Sequence, residues 1–416
     1  MSLIDRDRQF VWHPYTQMKT APPPLAIMRG QGVYLYTEDG RKLLDGISSW
    51  WVNIHGHAHP RLNQAIADQA KALEQVIFAG ATHEPAVELA ERLVGVLPAG
   101  LTKIFYSDNG STAVEVAVKM ALQYWRNKGQ ASRQRIVALT HAYHGDTIGA
   151  MAVSAPSVFT DAFASLLFSV DRVDPDGVDS HLQQHGDRVA AVIVEPMLQG
   201  AGGMIMWPAE SLARIRETCY RHGVLLIADE VLTGFGRTGR MFASEHASVT
   251  PDICCVSKAL TGGYLPLAAT AATNAVYDAF LSDDRTKTFF HGHSFTANPL
   301  ACAVALASLD LIEETRVLER VARLERHLRD GLTPLASLPS VADVRVLGGV
   351  GVVELKSDGG YLDRLGPRLY NEFLDRGVLL RPLGNVLYFM PPYVITDAEV
   401  DWVTECMRDV VNALTL

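Results

Sequence analysis

The chain has 416 residues and a formal net charge of −9. Single cores stop growing near ~250–300 residues, so two domains are expected, and 48% hydrophobic with 20% charged residues excludes a disordered chain. The acidic balance argues against nucleic acid or a membrane as partner, no run of ~18 apolar residues reads as a membrane span, and five cysteines without a C-x-x-C pair fit a reducing cytoplasm.

At the N-terminus, MSLIDRDRQF lacks the apolar run of a signal peptide, and Pro22-Pro23-Pro24 marks a stiff connection. Residues 32–46, GVYLYTEDGRKLLDG, read as a hairpin in which Val33 and Leu35 share a face and Asp39-Gly40 makes the turn. Helical periodicity follows over 61–75 and 84–97. The middle then changes character. Short apolar runs at 103–108, 135–139, 189–196, 223–230 and 252–257 alternate with helical stretches. Runs this short, rich in Val and Ile, suit strands buried on both faces of a parallel sheet. From about Asn298 two long helices are expected, then strands at 341–347, 349–356, 377–382 and 385–391 with helices between and after. The expected architecture is α/β, with a mostly parallel sheet in a large domain over 56–310. A smaller α+β domain would combine residues 1–55 with residues 311–416.

Three strand ends carry chemistry. Ser107-Asp108-Asn109-Gly110-Ser111-Thr112 joins a strand to a helix. Gly110 permits a tight approach, and the free N–H groups of a helix start attract an anion. A cap by Asp108 or Ser111 explains the same residues. Asp229-Glu230 closes an apolar strand, at the edge where open α/β sheets bind ligands. A carboxylate there needs a cation, such as a protonated pyridine nitrogen, unless it caps a helix or turn. Lys258 follows the run at 252–257 and precedes Thr261-Gly262-Gly263. A desolvated lysine is a usable nucleophile, though most lysines are surface groups.

Two other patterns carry less. Gly234-Phe235-Gly236-Arg237-Thr238-Gly239 matches the dinucleotide fingerprint, but the strand ends at Asp229 and the glycines open no clear helix. His55, His57 and His59 alternate in a loop bounded by Gly56 and Pro60, where no carboxylate completes a ligand set, so no metal is expected.

An anion cup, a carboxylate and a lysine together are what pyridoxal phosphate requires. Over nearly its whole length the chain resembles the class III, fold type I aminotransferases that use this cofactor. The most specific stretch is 229–239, followed by Ser257-Lys258 and Gly262-Gly263. The resemblance implies that Gly110 and Ser111 bind the cofactor phosphate and that Tyr143 stacks on the pyridine ring. It implies Glu195 near the ring's substrate side, Asp229 on the ring nitrogen and Lys258 as the Schiff-base lysine that also moves the proton. Lys258, Asp229 and Tyr143 are thus the expected catalytic residues. Ser294 takes a position usually held by threonine, which reaches the phosphate of a second subunit, with His293 beside it. A homodimer with shared sites follows from the resemblance. His293 and Thr296-Ala297 depart from the usual pattern of that loop.

Within the class, Trp12-His13-Pro14-Tyr15, Ser48-Ser49-Trp50-Trp51 and Leu380-Arg381-Pro382 resemble the aminotransferases of biotin synthesis. Those enzymes convert 8-amino-7-oxononanoate to 7,8-diaminononanoate with S-adenosyl-L-methionine, or in related enzymes lysine, as amino donor. The resemblance implies that Tyr15, Trp50, Tyr143 and Asp146 shape the substrate pocket, that Gly292 and Arg237 lie in it, and that Arg381 holds a carboxylate. An enzyme of the same class acting on 4-aminobutyrate, ornithine or another ω-amino acid is the alternative. A non-catalytic protein of this fold is disfavoured by the complete cofactor set.

Overall fold

The most uniformly apolar runs of the sequence form the middle of one large sheet. The structure, a computed structural model, describes residues 1–357 and 360–414. Residues 358, 359, 415 and 416, part of the expected 311–416 segment, lie outside the described residues. In chain order the strands are β1 (Ile27–Gln31), β2 (Tyr34–Thr37), β3 (Lys42–Asp45), β4 (Leu101–Ser107), β5 (Arg135–Leu139), β6 (Asp171–Val173), β7 (Val189–Val194) and β8 (Leu198–Gln199). Then come β9 (Ile205–Met206), β10 (Leu225–Asp229), β11 (Ile253–Val256), β12 (Ala268–Thr273), β13 (Val341–Leu347), β14 (Val350–Leu355), β15 (Val378–Leu379) and β16 (Val386–Phe389).

The large sheet has seven strands in the order β4-β12-β11-β10-β7-β5-β6. Every residue of β7, β10 and β11 is buried, as continuous apolar strands covered on both faces should be. The edge strand β6 is only half-buried. β12 pairs antiparallel with both β11 and β4, and the other neighbours pair parallel. Two antiparallel steps leave β4 parallel to the rest. The carboxyl ends of β4, β5, β7, β10 and β11 therefore meet along one edge. The sequence reading names no strand at β1, β6 or β12. β12 is built from AATAAT, whose small side chains give almost no hydrophobic signal although five of its six residues are buried.

The hairpin at 32–46 forms as β2 and β3, with Tyr34 opposite Leu44 and Tyr36 opposite Lys42. β15 adds to it in parallel, Val378 opposite Leu44 and Leu379 opposite Asp45, so the two ends of the chain share one sheet. β15 stops short of the expected 377–382 because pairing ends at Leu379 and Pro382 has no N–H to donate. β13, β14 and β16 form an antiparallel sheet beside it, packed through Leu328, Val352, Leu387 and Phe389. The helices Pro60–Ala72 and Glu84–Val96 match the periodic stretches to within three residues at either end, and Pro299–Glu314 and Val317–Leu332 are the long pair. Among the described residues no helix is long and apolar enough to cross a membrane.

Candidate functional site

Five strand ends of the large sheet frame a cavity of about 640 Å³. β4 runs through Asp108 into the helix Gly110–Asn127. Asn109, not Asp108 or Ser111, caps that helix, accepting from Thr112 N at 3.1 Å while Thr112 Oγ1 accepts from Asn109 N. The cap leaves Ser111 free to face the cavity, where its Oγ lies 2.7 Å from Thr147 Oγ1 and accepts from Thr147 N at 2.9 Å. A side chain on Gly110 would collide with Val231. Gly145 has φ +128° and lies against Ser111, so that loop also closes only with glycine.

The floor is made by carboxylates and an amine. Asp229 accepts from Val231 N at 3.1 Å and lies 2.7 Å from His144 Nδ1. Burial alone would depress His144, but the Asp229 carboxylate raises its pKa above the ordinary imidazole value. The His144 Nε2 atom is buried with no partner among the described residues. Glu195, one residue past β7, accepts from Tyr143 N and Gly200 N, both at 2.9 Å. Burial pushes its carboxyl up to about 7. Lys258, two residues past β11, lines the cavity and is partly buried. Burial pulls its amine down to about 8, partly opposed by Asp229 and Glu195. Glu230 turns away from all this. Its buried carboxylate accepts from Thr233, Ala243 and Ser244 and ties down the loop after β10.

A second cavity of about 360 Å³ adjoins the first at Lys258, Trp51, Val52, Tyr143, Asp146 and Ala201. Aromatic rings line it. Tyr15 packs edge-on against Trp50 and Phe159 at 5.5 Å, and Phe159 against Tyr361 at 4.7 Å. The Tyr15 hydroxyl donates to Asp146 and lies 3.2 Å from the Tyr143 hydroxyl. Burial and the Asp146 contact push Tyr15 up to about 12, so its phenol keeps the donated proton. Arg381 stands over the Trp50 ring, 4.1 Å from its centre, and has no carboxylate partner among the described residues. Trp51 lies between the cavities, 4.6 Å from Lys258 Nζ, with its indole N–H donating to the Tyr388 hydroxyl at 3.1 Å. Residues Ser48, Ser49, Trp50 and Trp51 all have positive φ, between 47° and 75°. A left-handed residue other than glycine costs about 1–2 kcal/mol, so neighbours must hold this turn.

The structure thus brings Gly110, Ser111, Tyr143, Asp146, Glu195, Asp229 and Lys258 to one cavity, and Tyr15, Trp50 and Arg381 to its extension. Arg237 does not join them as a wall residue. It is 1% exposed, donates to the Pro391 carbonyl at 3.1 Å and stacks 4.7 Å from the Tyr393 ring. Packing beneath the loop of glycines buries it, and its Nη2 has no hydrogen-bond partner among the described residues. Gly292, His293 and Ser294 lie on a loop outside this chain's own cavity. Trp51, His144, Thr147, Phe159, Tyr361 and Tyr388 were not read as site residues. Trp51, His144 and Thr147 adjoin named motifs and were within reach of the sequence, whereas nothing local marks Phe159, Tyr361 or Tyr388. In the histidine loop, Asp45 from β3 meets His57 Nε2 at 2.9 Å.

Comparison with known proteins bears on this geometry. The class III aminotransferase family model matches residues 15–411. The chain is 50% identical to the adenosylmethionine-8-amino-7-oxononanoate aminotransferase of Synechococcus elongatus, over 97% of this chain and 99% of that one. It is 44% identical to the enzyme of the same name from Geobacter sulfurreducens, over 100% and 98%. The crystal structure of the Methanocaldococcus jannaschii adenosylmethionine-8-amino-7-oxononanoate aminotransferase superposes with a TM-score of 0.96 at 36% identity, over 100% and 99% of the two chains. An amine transaminase from an uncultivated Pseudomonas species, solved in its PLP-bound form, gives 0.90 at 35% identity over 96% and 97%.

Proposed function

Because the chain belongs to the class III aminotransferases, enzymes that work with pyridoxal phosphate, we propose that it transfers an amino group from S-adenosyl-L-methionine to 8-amino-7-oxononanoate, giving 7,8-diaminononanoate. The observation that carries this reading is the junction at Lys258. On one side lie an anion cup and a buried carboxylate, and on the other an aromatic channel ending in the Arg381 guanidinium, which has no carboxylate partner among the described residues.

The donor set fits the cofactor. The start of the helix Gly110–Asn127, with the Ser111 hydroxyl, suits a phosphate. Asp229 suits a protonated ring nitrogen, and the unpartnered His144 Nε2 leaves the pair a further hydrogen bond to make. When bound, pyridoxal phosphate supplies an aldehyde for amines and a ring that draws electrons from the adjacent carbon. Lys258 is the amine that would hold that aldehyde. Its Nζ would take up and return the proton that amino transfer has to move. Burial, which lowers its pKa to about 8, favours the neutral amine that such a transfer needs. Asp229 would hold a proton on the ring nitrogen. Tyr143 offers its ring face, and Glu195, tied to the Tyr143 amide, fixes that loop. Trp51 keeps water from the Lys258 amine.

The channel suits both substrates. Aromatic faces accept a methylene chain, and they also attract a sulfonium cation. Arg381 meets the acceptor carboxylate with two parallel hydrogen bonds. Assembly as a homodimer with shared sites is part of the proposal. Phe290 and Phe295, 75% and 61% exposed, flank Gly292, His293 and Ser294, and exposed aromatics of this kind favour burial against a second copy. In that arrangement Ser294 and His293 approach the partner's phosphate and Gly292 its substrate. Five free, buried thiols support a cytoplasmic setting. The test is a donor panel with product identification. Adenosylmethionine is expected to give 7,8-diaminononanoate, while lysine, ornithine and 4-aminobutyrate give little. Efficient lysine use would change the donor, and turnover of 4-aminobutyrate without any diaminononanoate would overturn the reading.

A further inference from the structure

A buried carboxylate outside both cavities governs how one of them is shaped. Asp45 ends β3 and has no exposed surface. Its Oδ1 accepts from the Ser49 amide at 2.9 Å and the Ile47 amide at 3.3 Å. Its Oδ2 accepts from the Ser49 hydroxyl at 2.7 Å and lies 2.9 Å from His57 Nε2. His57 is steadied on its other side by Asn53, 3.1 Å away, and by the backbone exchange between its own peptide and Gly32. These bonds converge on the left-handed turn Ser48–Trp51. No other group bonds to the Ser49 side chain among the described residues, and Ser48 Oγ anchors the start of the turn on the Met390 carbonyl at 2.7 Å. The Gly46 amide donates to the Leu379 carbonyl at 3.0 Å, which ties the turn to the strand delivering Arg381. The outcome of this wiring is the stack of Arg381 on Trp50. Trp51 has its own anchor on Tyr388, so loosening Ser49 releases Trp50 first.

We propose that Asp45 is a positioning residue for acceptor binding: shared between Ser49 and His57, its carboxylate holds the left-handed turn that sets Trp50 beneath Arg381. An uncharged or absent partner lets the strained residues relax toward right-handed conformations, and Arg381 loses the surface that aims it. This inference rests on the acceptor reading above. Its test uses the holoenzyme and follows the two half-reactions separately. In Asp45→Asn the Michaelis constant for 8-amino-7-oxononanoate should rise about tenfold, the effect of losing a hydrogen bond to a charged group. The donor half-reaction should lose clearly less than the acceptor half-reaction and the cofactor absorbance should change little, a split that a merely structural role would not produce. Two further variants keep the test decisive if Asp45→Asn does not fold. Ser49→Ala and Ser49→Gly both remove the hydroxyl, but glycine takes positive φ without steric cost. The alanine variant should therefore weaken acceptor binding more than the glycine variant. An unchanged acceptor constant in Asp45→Asn, equal loss in both half-reactions, or indistinguishable Ser49 variants overturns the proposal. A wild-type enzyme that does not aminate 8-amino-7-oxononanoate sinks the functional reading instead; a wild type that does, with indifferent variants, sinks only this inference.

Discussion

At one end of the site Gly110, Glu195, Asp229 and Lys258 each stand within three residues of a strand in a single sheet. At the other end Tyr15, Trp50, Phe159 and Tyr361 come from separate turns, and Arg381 follows a strand of two residues. Sheet strands buried on both faces shift little, so the lysine end is fixed by the same packing that forms the core. The aromatic end depends on contacts among distant loops, and its geometry is open to change without disturbing the sheet. Under the proposed function the comparison implies a division of labour: chemistry common to both half-reactions on the sheet, and choice of acceptor on the loops.

That division is broken or sharpened by variants at each end. The largest effect is expected for Lys258→Ala, which should abolish transamination with any donor or acceptor while the protein still binds the cofactor through Gly110, Ser111 and Asp229. Borohydride reduction of the wild type followed by peptide mapping should mark Lys258, and a label on a different lysine would remove it from the centre of the account. Next comes Asp229→Asn. Both half-reactions should slow by on the order of a hundredfold or more, the range for losing a group that sustains proton transfer, with the fold unchanged by circular dichroism. Near wild-type rates would assign Asp229 another task. Arg381→Ala should act on one half-reaction. Loss of a charge-assisted carboxylate pair costs about 2–4 kcal/mol of acceptor binding, while single-turnover rates with the donor should hold. Equal damage to both would erase the division.

A smaller effect concerns pH. Burial lowers Lys258 to about 8, so below that pH its amine is protonated in the folded protein and cannot attack. The rate at which apoprotein captures the cofactor, followed by absorbance, should rise as pH climbs toward 8 and level off above it. In the unfolded chain the lysine titrates near its ordinary value of 10.5, so the folded apoprotein gains stability as pH rises from about 8 to 10.5. A capture rate still rising steeply above pH 9 would mean that Lys258 is not desolvated.

Legibility in the sequence followed the same division. Asp229 and Lys258 were readable because a fully apolar strand announces its own end, and the residue after that end faces the ligand edge. Gly110 was readable for the same reason, although the cap beside it proved to be Asn109. β12 was not readable, since alanine and threonine report burial poorly. Trp50 and Arg381 were named through local motifs, but their stacking joins segments far apart in the chain and has no local signal. Phe159 and Tyr361 meet across a similar gap. The Asp45–His57 contact bridges a strand end and a loop, which a reading confined to the histidine loop could not supply. The burial of Arg237 between Tyr393 and the Pro391 carbonyl joins segments far apart in the chain and has no local signal either.

The central claim is that the loop-built end selects a long keto acid with a distant carboxylate. Its most direct test loads the wild-type enzyme with the amino group from adenosylmethionine, removes the donor, and mixes it with either 8-amino-7-oxononanoate or 4-oxobutanoate in single-turnover experiments. Fast amination of 8-amino-7-oxononanoate with slow reaction of 4-oxobutanoate is the expected result. Ready amination of 4-oxobutanoate with none of 8-amino-7-oxononanoate would contradict the account and replace it with an ω-amino acid transaminase.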